Sequence, residues 1–588
     1  MRTYPNYPAD TYPTFRCYLE GIKTQFGARD AIVSFSPRGE RFSRTYKQLA
    51  EDVQALSEAF RLFLPEGHAA ILSENSYGWL ITYLALILSG RTAVCMDTEQ
   101  PEEILTEMIR HTDCTTVFVS PAFLPLTDSL RYQCPKLQKV LRLSYDEDDS
   151  LKALWLKGLT LVREHQGDWS FPDHDGSFTA SIVYTSGTTS VSKPVMLSEA
   201  GILLNAADSM RLVSIADTMY TSLPFYHTYG LTCSVINILL HGSTLCINGS
   251  LKTMLRDLKT FAPENMMAVP LIVEMMHQNI WRTLKNQGQE AKMRNYLKLY
   301  RIVHRFGFRP FPAFLKPIRE AFGGRLNMIV CGGAHLSEKI GLEMEAFGFQ
   351  IIQGYGITEC SPLISVNRNL DSRVDTVGHV LPGIELRLIQ GEIAVRGTSV
   401  MQGYYKNEAL SQEVFDQGWF LTGDLGSLDS RGHLRITGRK KNLIVFKNGK
   451  KVSPEEIEQQ LIPLPLVKEV MAYGMGASEN PDDVRLAVMI YPDPQATEGM
   501  SAYEILEQLQ ADVDQVNQQL PSYKQIQMIK LRETEFEKTA TRKIKRRRCR
   551  KGEVKHDRKN SGDHHRGDRP AAADAADRSG SGSAAEFV

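Results

Sequence analysis

The feature that most constrains this chain is a repeated local pattern. Short apolar runs, each closing on Gly, Ser, Thr or Pro, recur through its first three quarters. They include SIVYTSGTT (181–189), MMAVP (266–270), MIVCGGA (328–334) and IIQGYG (351–356). Between several of them lie longer stretches with helical character, such as 198–212 and 336–347. Buried strand, small-residue loop and helix in alternation predict a parallel α/β sheet covered on both faces. Such sheets bind ligands beyond the carboxyl ends of their strands, so the small-residue loops are the places to search.

Composition agrees with a globular enzyme. The 588 residues are 42% hydrophobic and 23% charged, which excludes whole-chain disorder and fibrous repeats. This length predicts roughly four domain-sized units. Lys and Arg together number 68 and are matched by 68 Asp and Glu, so no net field draws the chain to nucleic acid or a membrane. Nine cysteines are scattered without a CxxC pair, which argues for reduced thiols in a cytoplasmic setting and against a zinc site. The longest apolar run, Trp79 to Leu88, falls well short of the roughly 18 residues a membrane span needs, and predicts a buried helix. The start of the chain lacks an apolar secretory core, and its end, Glu-Phe-Val, is not a peroxisomal address.

After about residue 375 the texture changes. IELRLIQGEIAVRG (384–397) and LRITGR (434–439) predict hairpin strands, with Asp429-Ser430-Arg431-Gly432 as a turn. Ser453-Pro454-Glu455-Glu456 opens a helix. Ser453 is expected to cap it, Glu456 to complete a capping box, and Val452 and Ile457 to form a hydrophobic staple. A second domain therefore begins near residue 440. From about 554 the chain is almost free of large apolar residues and is expected to be disordered and outside the fold.

The loop after SIVY is the first candidate site. Thr185, Ser186, Gly187, Thr188, Thr189 and Lys193 combine hydroxyls, a glycine and a cation, as either a phosphate cradle or a solvated Ser/Thr loop does. A Walker A loop is excluded, because Ser192 replaces its second glycine and Pro194 follows Lys193 where a hydroxyl must bind magnesium.

YTSGTTSVSKPVMLS (184–198) resembles the phosphate loop of the adenylate-forming superfamily. LPFYHTYG (223–230), CGGA (331–334), GYGITE (354–359), the 418–458 stretch and EKTATRKIKR (537–546) match further motifs in the family's order. The resemblance covers roughly residues 1–550. It implies an α/β fold: a large N-terminal adenylation domain (1–439) of doubly wound α/β subdomains plus a distorted β-barrel. A small mobile α+β domain (440–553) follows, then the 554–588 tail.

It also implies a reaction. A carboxylic acid is activated with ATP to an acyl-adenylate, releasing pyrophosphate, and the acyl group then passes to the thiol of coenzyme A. Two anions meet in the first step, so the site must neutralise charge. By resemblance, the phosphate loop holds phosphates, with Thr185 close to the chemistry. Glu359 holds Mg²⁺, with Thr358 beside it. Gly332, Gly333 and Ala334 flank adenine. Gly354, Tyr355 and Gly356 continue that wall, Tyr355 being either a stacking ring or a core tyrosine. Asp424 and Arg439 hold ribose, Lys441 is the hinge, Lys543 reaches the reacting carboxylate and α-phosphate, and Gly449 borders the pantetheine channel.

Three positions depart from the family pattern. Ser190, Pro194 and Arg542 stand where glycine is usual, which reads as reduced activity and leaves a degenerate nucleotide-binding member as an alternative. His227 occupies the place where amino-acid-activating relatives carry an aspartate, so a fatty or aryl acid is expected. His227 is either a substrate contact or a satisfied structural histidine. The basic stretch 280–322 resembles bacterial long-chain acyl-CoA synthetases. Its Met293, Tyr296, Leu297 and Tyr300 stripe either packs on its own domain or gives peripheral membrane contact. The thiol partner is CoA or an acyl carrier protein.

Overall fold

A computed structural model describes residues 4–35, 40–144, 150–185, 192–248, 251–304, 310–446, 450–476, 484–538, 544 and 546. Ser186 to Thr189, Ser190, Gly449, Arg542, Lys543 and the 554–588 tail lie outside the described residues.

Two large sheets carry the first 380 residues. In the first, strands Lys139–Arg142, Cys114–Val119, His68–Leu72, Ala93–Cys95 and Thr179–Tyr184 run parallel. Pro194–Ser198 and the short Gly403–Tyr404 then pair antiparallel on its edge. In the second, Gln350–Gly356, Met328–Cys331, Asn265–Ala268, Thr218–Thr221, Thr244–Ile247 and Asp30–Phe35 run parallel. Antiparallel strands close both of its edges. This is the doubly wound arrangement the strand–loop–helix pattern predicts.

The helix Tyr77–Leu88 is buried at all 12 positions, as the apolar run predicts. Each large side chain so removed from water contributes roughly 1.5–3 kcal/mol. The helices Glu199–Leu212 and Glu338–Ala346 form where expected, the first with Ser198 accepting at its N-cap. In the basic helix Glu290–His304, Met293, Leu297 and Tyr300 are buried in their own domain's core. No helix among the described residues is long and apolar enough to cross a membrane.

The antiparallel texture after residue 375 is a five-stranded sheet. Glu385–Ile389 and Glu392–Arg396 form a hairpin, and Trp419–Leu428 pairs with Glu392–Arg396, Phe415–Asp416 and Leu434–Arg439. The Asp429 turn forms as predicted, its carboxylate accepting from the backbone N–H of Arg431 and His433.

From Ile444 onward a separate core gathers around the sheet Val467–Gly476, Val484–Pro492 and Met528–Leu531. Its helix Pro454–Leu461 follows Ser453, and Val452 and Ile457 are buried together as the staple requires. The capping box does not form. The Ser453 hydroxyl donates instead to Glu455 (2.7 Å), while Glu456 pairs with Lys524 (2.5 Å). A local partner, Glu455, has taken the Ser453 hydroxyl, and a tertiary one, Lys524, has taken Glu456.

Pro194 takes the first position of its strand, opposite Tyr184, where a missing N–H is tolerated. Its carbonyl accepts from Tyr405 N–H (2.8 Å). The structure asks for no glycine conformation there.

Candidate active site

One cleft of about 1310 Å³ opens where the carboxyl ends of both parallel sheets, the antiparallel sheet and the C-terminal core meet. Thr185, Lys193, Glu359 and Asp424 all line it. So do His227, Gly332, Gly333, Ala334, Gly354, Tyr355, Gly356, Thr358, Arg439 and Lys441. The structure thus brings every described candidate to one cavity.

The phosphate-loop candidate is clasped at its base. Thr185 N–H donates to the Lys193 carbonyl (3.0 Å), and Lys193 N–H donates to Thr185 Oγ1 (3.2 Å). The Lys193 ammonium lies 4.8 Å from the centre of the Tyr404 ring. Tyr404 in turn donates through its hydroxyl to Glu359 Oε1 (3.0 Å). Glu359 sits in a single turn, Thr358–Cys360, after strand Gln350–Gly356, and its carbonyl accepts from Met401 N–H (2.8 Å). Burial, reinforced by the Glu359 charge, holds the Tyr404 phenol far above its usual range, so it remains a donor.

The second carboxylate is built the same way. Asp424 is 3% exposed on strand Trp419–Leu428, directly opposite Arg439. Tyr355 donates to Asp424 Oδ2 (2.8 Å) and Arg439 Nε to Oδ1 (2.7 Å). Burial and then the Asp424 charge push the Tyr355 phenol well above its ordinary range. Burial works against the Arg439 charge, but Asp424, Tyr355 and Glu359 together outweigh it and raise the guanidinium's pKa. Each oxygen of Asp424 keeps a further lone pair for an outside hydroxyl.

Gly332 and Gly333 end the strand Met328–Cys331. Gly333 has φ +84°, which requires glycine, and a Cβ at Gly332 would stand only 3.1 Å from the Tyr229 ring, so that ring would have to shift slightly. Tyr229 spans this edge, donating to the carbonyls of Val330 (3.1 Å) and Ala268 (3.3 Å). The His227 ring lies tilted against Tyr226, ring centres 4.7 Å apart. An apolar wall of Val213, Ile215, Cys233, Met267, Val330 and Leu363 continues the cleft.

The hinge candidate Lys441 lies in the turn Lys440–Asn442 between the two cores. Its neighbour Lys440 pairs with Glu392 (2.6 Å), a carboxylate that also accepts from Gly423 N–H (3.0 Å). Ile544 and Arg546, which flank the Lys543 position, line the cleft too.

Three contributors were not legible in the sequence: Tyr404, Tyr229 and Glu392. Tyr404 sits on a two-residue strand, which has no periodicity to detect. Tyr229 lies within the quoted 223–230 motif, so the motif itself was the available signal.

The AMP-binding enzyme family matches residues 21–405, and the AMP-binding enzyme C-terminal domain matches residues 441–552. The chain belongs to the AMP-binding enzyme family. This bears out the resemblance to adenylate-forming enzymes. Among relatives of this AMP-binding enzyme, a long-chain-fatty-acid–CoA ligase of Mycobacterium tuberculosis is 27% identical over 458 residues, covering 73% of each chain. A long chain acyl-CoA synthetase of Arabidopsis thaliana is 25% identical over 498 residues, covering 77% of this chain and 74% of that protein. Among solved structures, an anthranilate CoA ligase with bound anthranoyl-AMP superposes with TM-score 0.74 at 20% identity, covering 93% of this chain and 98% of that one. ATP-bound MatB from Rhodopseudomonas palustris gives 0.72 at 21% identity, covering 91% and 98%. These likenesses bear out the fold: a large α/β N-terminal part and a smaller C-terminal one.

Proposed function

We propose that this AMP-binding enzyme is an acid–thiol ligase that joins a long-chain fatty acid to coenzyme A through an acyl-adenylate. One observation carries the reading: a single cleft gathers Thr185, Lys193, Glu359, Asp424 and Arg439 beside an apolar wall. The names of the relatives support the acid and the thiol, and favour CoA over an acyl carrier protein.

In the first half-reaction a carboxylate oxygen attacks the α-phosphorus of ATP, and the bond to pyrophosphate breaks. The Thr185–Lys193 loop supplies hydroxyls and a cation to the phosphates. Asp424, with Tyr355 and Arg439 fixing its two oxygens, accepts from the ribose hydroxyls. Gly332 to Ala334 and the 354–356 segment wall the base. Lys543 brings a mobile positive charge to the reacting carboxylate and α-phosphate.

In the second half-reaction the thiol attacks the acyl carbon and AMP leaves. We read residues 440–553 as a unit that turns about Lys441, withdrawing Lys543 and admitting the pantetheine arm past Gly449.

Glu359 fits a Mg²⁺ ligand: it is a hard oxygen donor on the cleft wall, oriented by Tyr404, and Mg²⁺ binds through one or two carboxylates plus phosphates. Bound there, the ion would neutralise phosphate charge. A cytoplasmic location is supported by the eight described cysteines, all free thiols.

Pyrophosphate release across a panel of carboxylic acids tests the proposal. Long-chain fatty acids should support release, with AMP and acyl-CoA forming when CoA is added. Release with aryl acids alone would overturn the acid class. Release with no acid tested would favour a nucleotide-binding member without catalysis.

A further inference from the structure

Away from the cleft, three chain segments converge on one cluster of metal-ligating groups. The loop after strand Leu363–Val366 supplies Asp371, the edge strand His379–Val380 supplies His379, and the Asp429 turn supplies His433. Backbone bonds lock the last two together: Leu434 N–H donates to the Gly378 carbonyl (2.7 Å) and Val377 N–H to the Leu434 carbonyl (2.9 Å).

The ligand atoms all lie within 4.8 Å of one another, close enough to share one ion, and the His379–Asp371 approach is also a hydrogen bond. Nε2 of His379 and Nε2 of His433 each lie 3.2 Å from the same oxygen, Asp371 Oδ2. Tetrahedral ligands about 2.0–2.1 Å from a zinc ion stand about 3.3–3.4 Å apart. The two imidazole centres are 4.3 Å apart.

His433 is the decisive member. Its ring is 0% exposed, yet among the described residues neither nitrogen has a hydrogen-bond partner of acceptable geometry, although Nε2 lies 3.2 Å from Asp371 Oδ2. Nδ1 lies 3.5 Å from Asp429 Oδ2, too far for a good hydrogen bond, and that oxygen accepts from Arg373 at 2.9 Å. A fully buried imidazole with two unsatisfied nitrogens is costly unless an outside group completes it. Asp371 and His379 are about a fifth exposed, so the cluster is open to solvent on one side.

We propose that Asp371, His379 and His433 form a binding site for a divalent transition-metal ion of the Zn²⁺ type. The cysteine spacing that argues against zinc does not bear on it, because two histidines and a carboxylate suffice. The ion would fasten the Asp429 turn to the edge of the large parallel sheet. That turn ends the strand Trp419–Leu428, which carries Asp424, so the site is a structural clip beside the nucleotide wall. The inference is independent of the acid or thiol used.

The test uses the full chain, stripped with a chelator and titrated with Co²⁺ alone. One equivalent should give the intense visible absorption of a tetrahedral Co²⁺ site, and one equivalent of Zn²⁺ should abolish it. Zn²⁺ should also raise the unfolding temperature of the stripped chain. The partly exposed positions are the ones to vary, since His433 is fully buried and its replacement endangers folding. Asp371→Asn and His379→Gln should each remove the absorption and the thermal shift. Glu359→Gln should keep both, separating this site from the cleft. Absence of tetrahedral absorption in the unaltered chain, or its survival in both Asp371→Asn and His379→Gln, would overturn the proposal.

Discussion

The cleft is built from two regions that hold their charged groups in different ways. In the large N-terminal part, Asp424 and Glu359 are fixed by donors from other elements: Tyr355 and Arg439 for one, Tyr404 for the other. Those donors come from separate strands brought together only by the completed fold. In the C-terminal part, the segment around Lys543 is tied at both ends to its own small core. Lys538 pairs with Glu469 on the strand Val467–Gly476. Arg546 grips Glu458 and Glu455 on the helix Pro454–Leu461 (2.6 and 3.4 Å). Among the described residues, these two ion pairs tie both ends of the segment to the small core. In the proposed reaction the contrast becomes a division of labour: the large part holds acceptors for the nucleotide, and the small part carries Lys543 to the reacting groups.

Lys543→Ala is the hardest blow to that contrast. If the lysine is delivered only for adenylation, pyrophosphate release should fall about 10²–10³-fold, the usual effect of removing one group aimed at developing charge. Thiol attack on supplied acyl-adenylate should stay near normal. Single-turnover assays of each half-reaction separate the two, and equal losses would erase the division.

Asp424→Asn attacks the other side. It keeps shape but removes the charge that Arg439 and Tyr355 orient. Hydrogen bonds to charged groups are worth about 1.5–3 kcal/mol, so the KM for ATP should rise roughly 10- to 100-fold. Because the nucleotide is held in both half-reactions, both should suffer. A defect confined to adenylation would place Asp424 on the delivery side instead.

How much of this was legible in the sequence follows from the physics of each element. The parallel strands were, because strands buried on both faces must be continuous apolar runs, and their loops must be small where a ligand approaches. The helix Glu199–Leu212 was, because Ser198 caps it locally. The Ser453 capping box was misread because Glu455 and Lys524 compete for its partners, and only tertiary structure brings Lys524 there. Asp424 and Glu359 were found through motifs, but their donors were not. Tyr404 reaches Glu359 through the pairing of Gly403–Tyr404 with Pro194–Ser198, a long-range contact with no local trace. The His379–His433 pair was invisible for the same reason.

Arg546→Gln sharpens the delivery half of the comparison. Burial raises the pKa of Glu458, and Arg546 is the charge that opposes this. Removing one partner of a largely buried pair costs about 3–5 kcal/mol, so thermal unfolding of the C-terminal part should occur earlier. With one end of the segment loose, adenylation should slow by roughly tenfold, about 1.4 kcal/mol of lost positioning. The KM for ATP should hold. A raised KM with unchanged adenylation would show that Arg546 belongs to the nucleotide wall.

The smallest effect resolves how the large part couples its two charged groups. Tyr404 touches Glu359 with its hydroxyl and Lys193 with its ring face. Tyr404→Phe deletes the first contact and keeps the second. One hydrogen bond at a half-buried carboxylate is worth about 1 kcal/mol net, so kcat should fall roughly fivefold, with the Mg²⁺ concentration dependence altered and the KM for ATP steady. Tyr404→Leu also removes the ring beneath the Lys193 ammonium, a further 0.5–1 kcal/mol or about two- to fivefold, and that loss should enter the KM for ATP. The pair of variants thus assigns hydroxyl and ring to different readouts. If Tyr404→Phe shifted the ATP KM as far as Tyr404→Leu, the ring contact would be incidental, and the phosphate loop would depend on Glu359 rather than on Tyr404 itself.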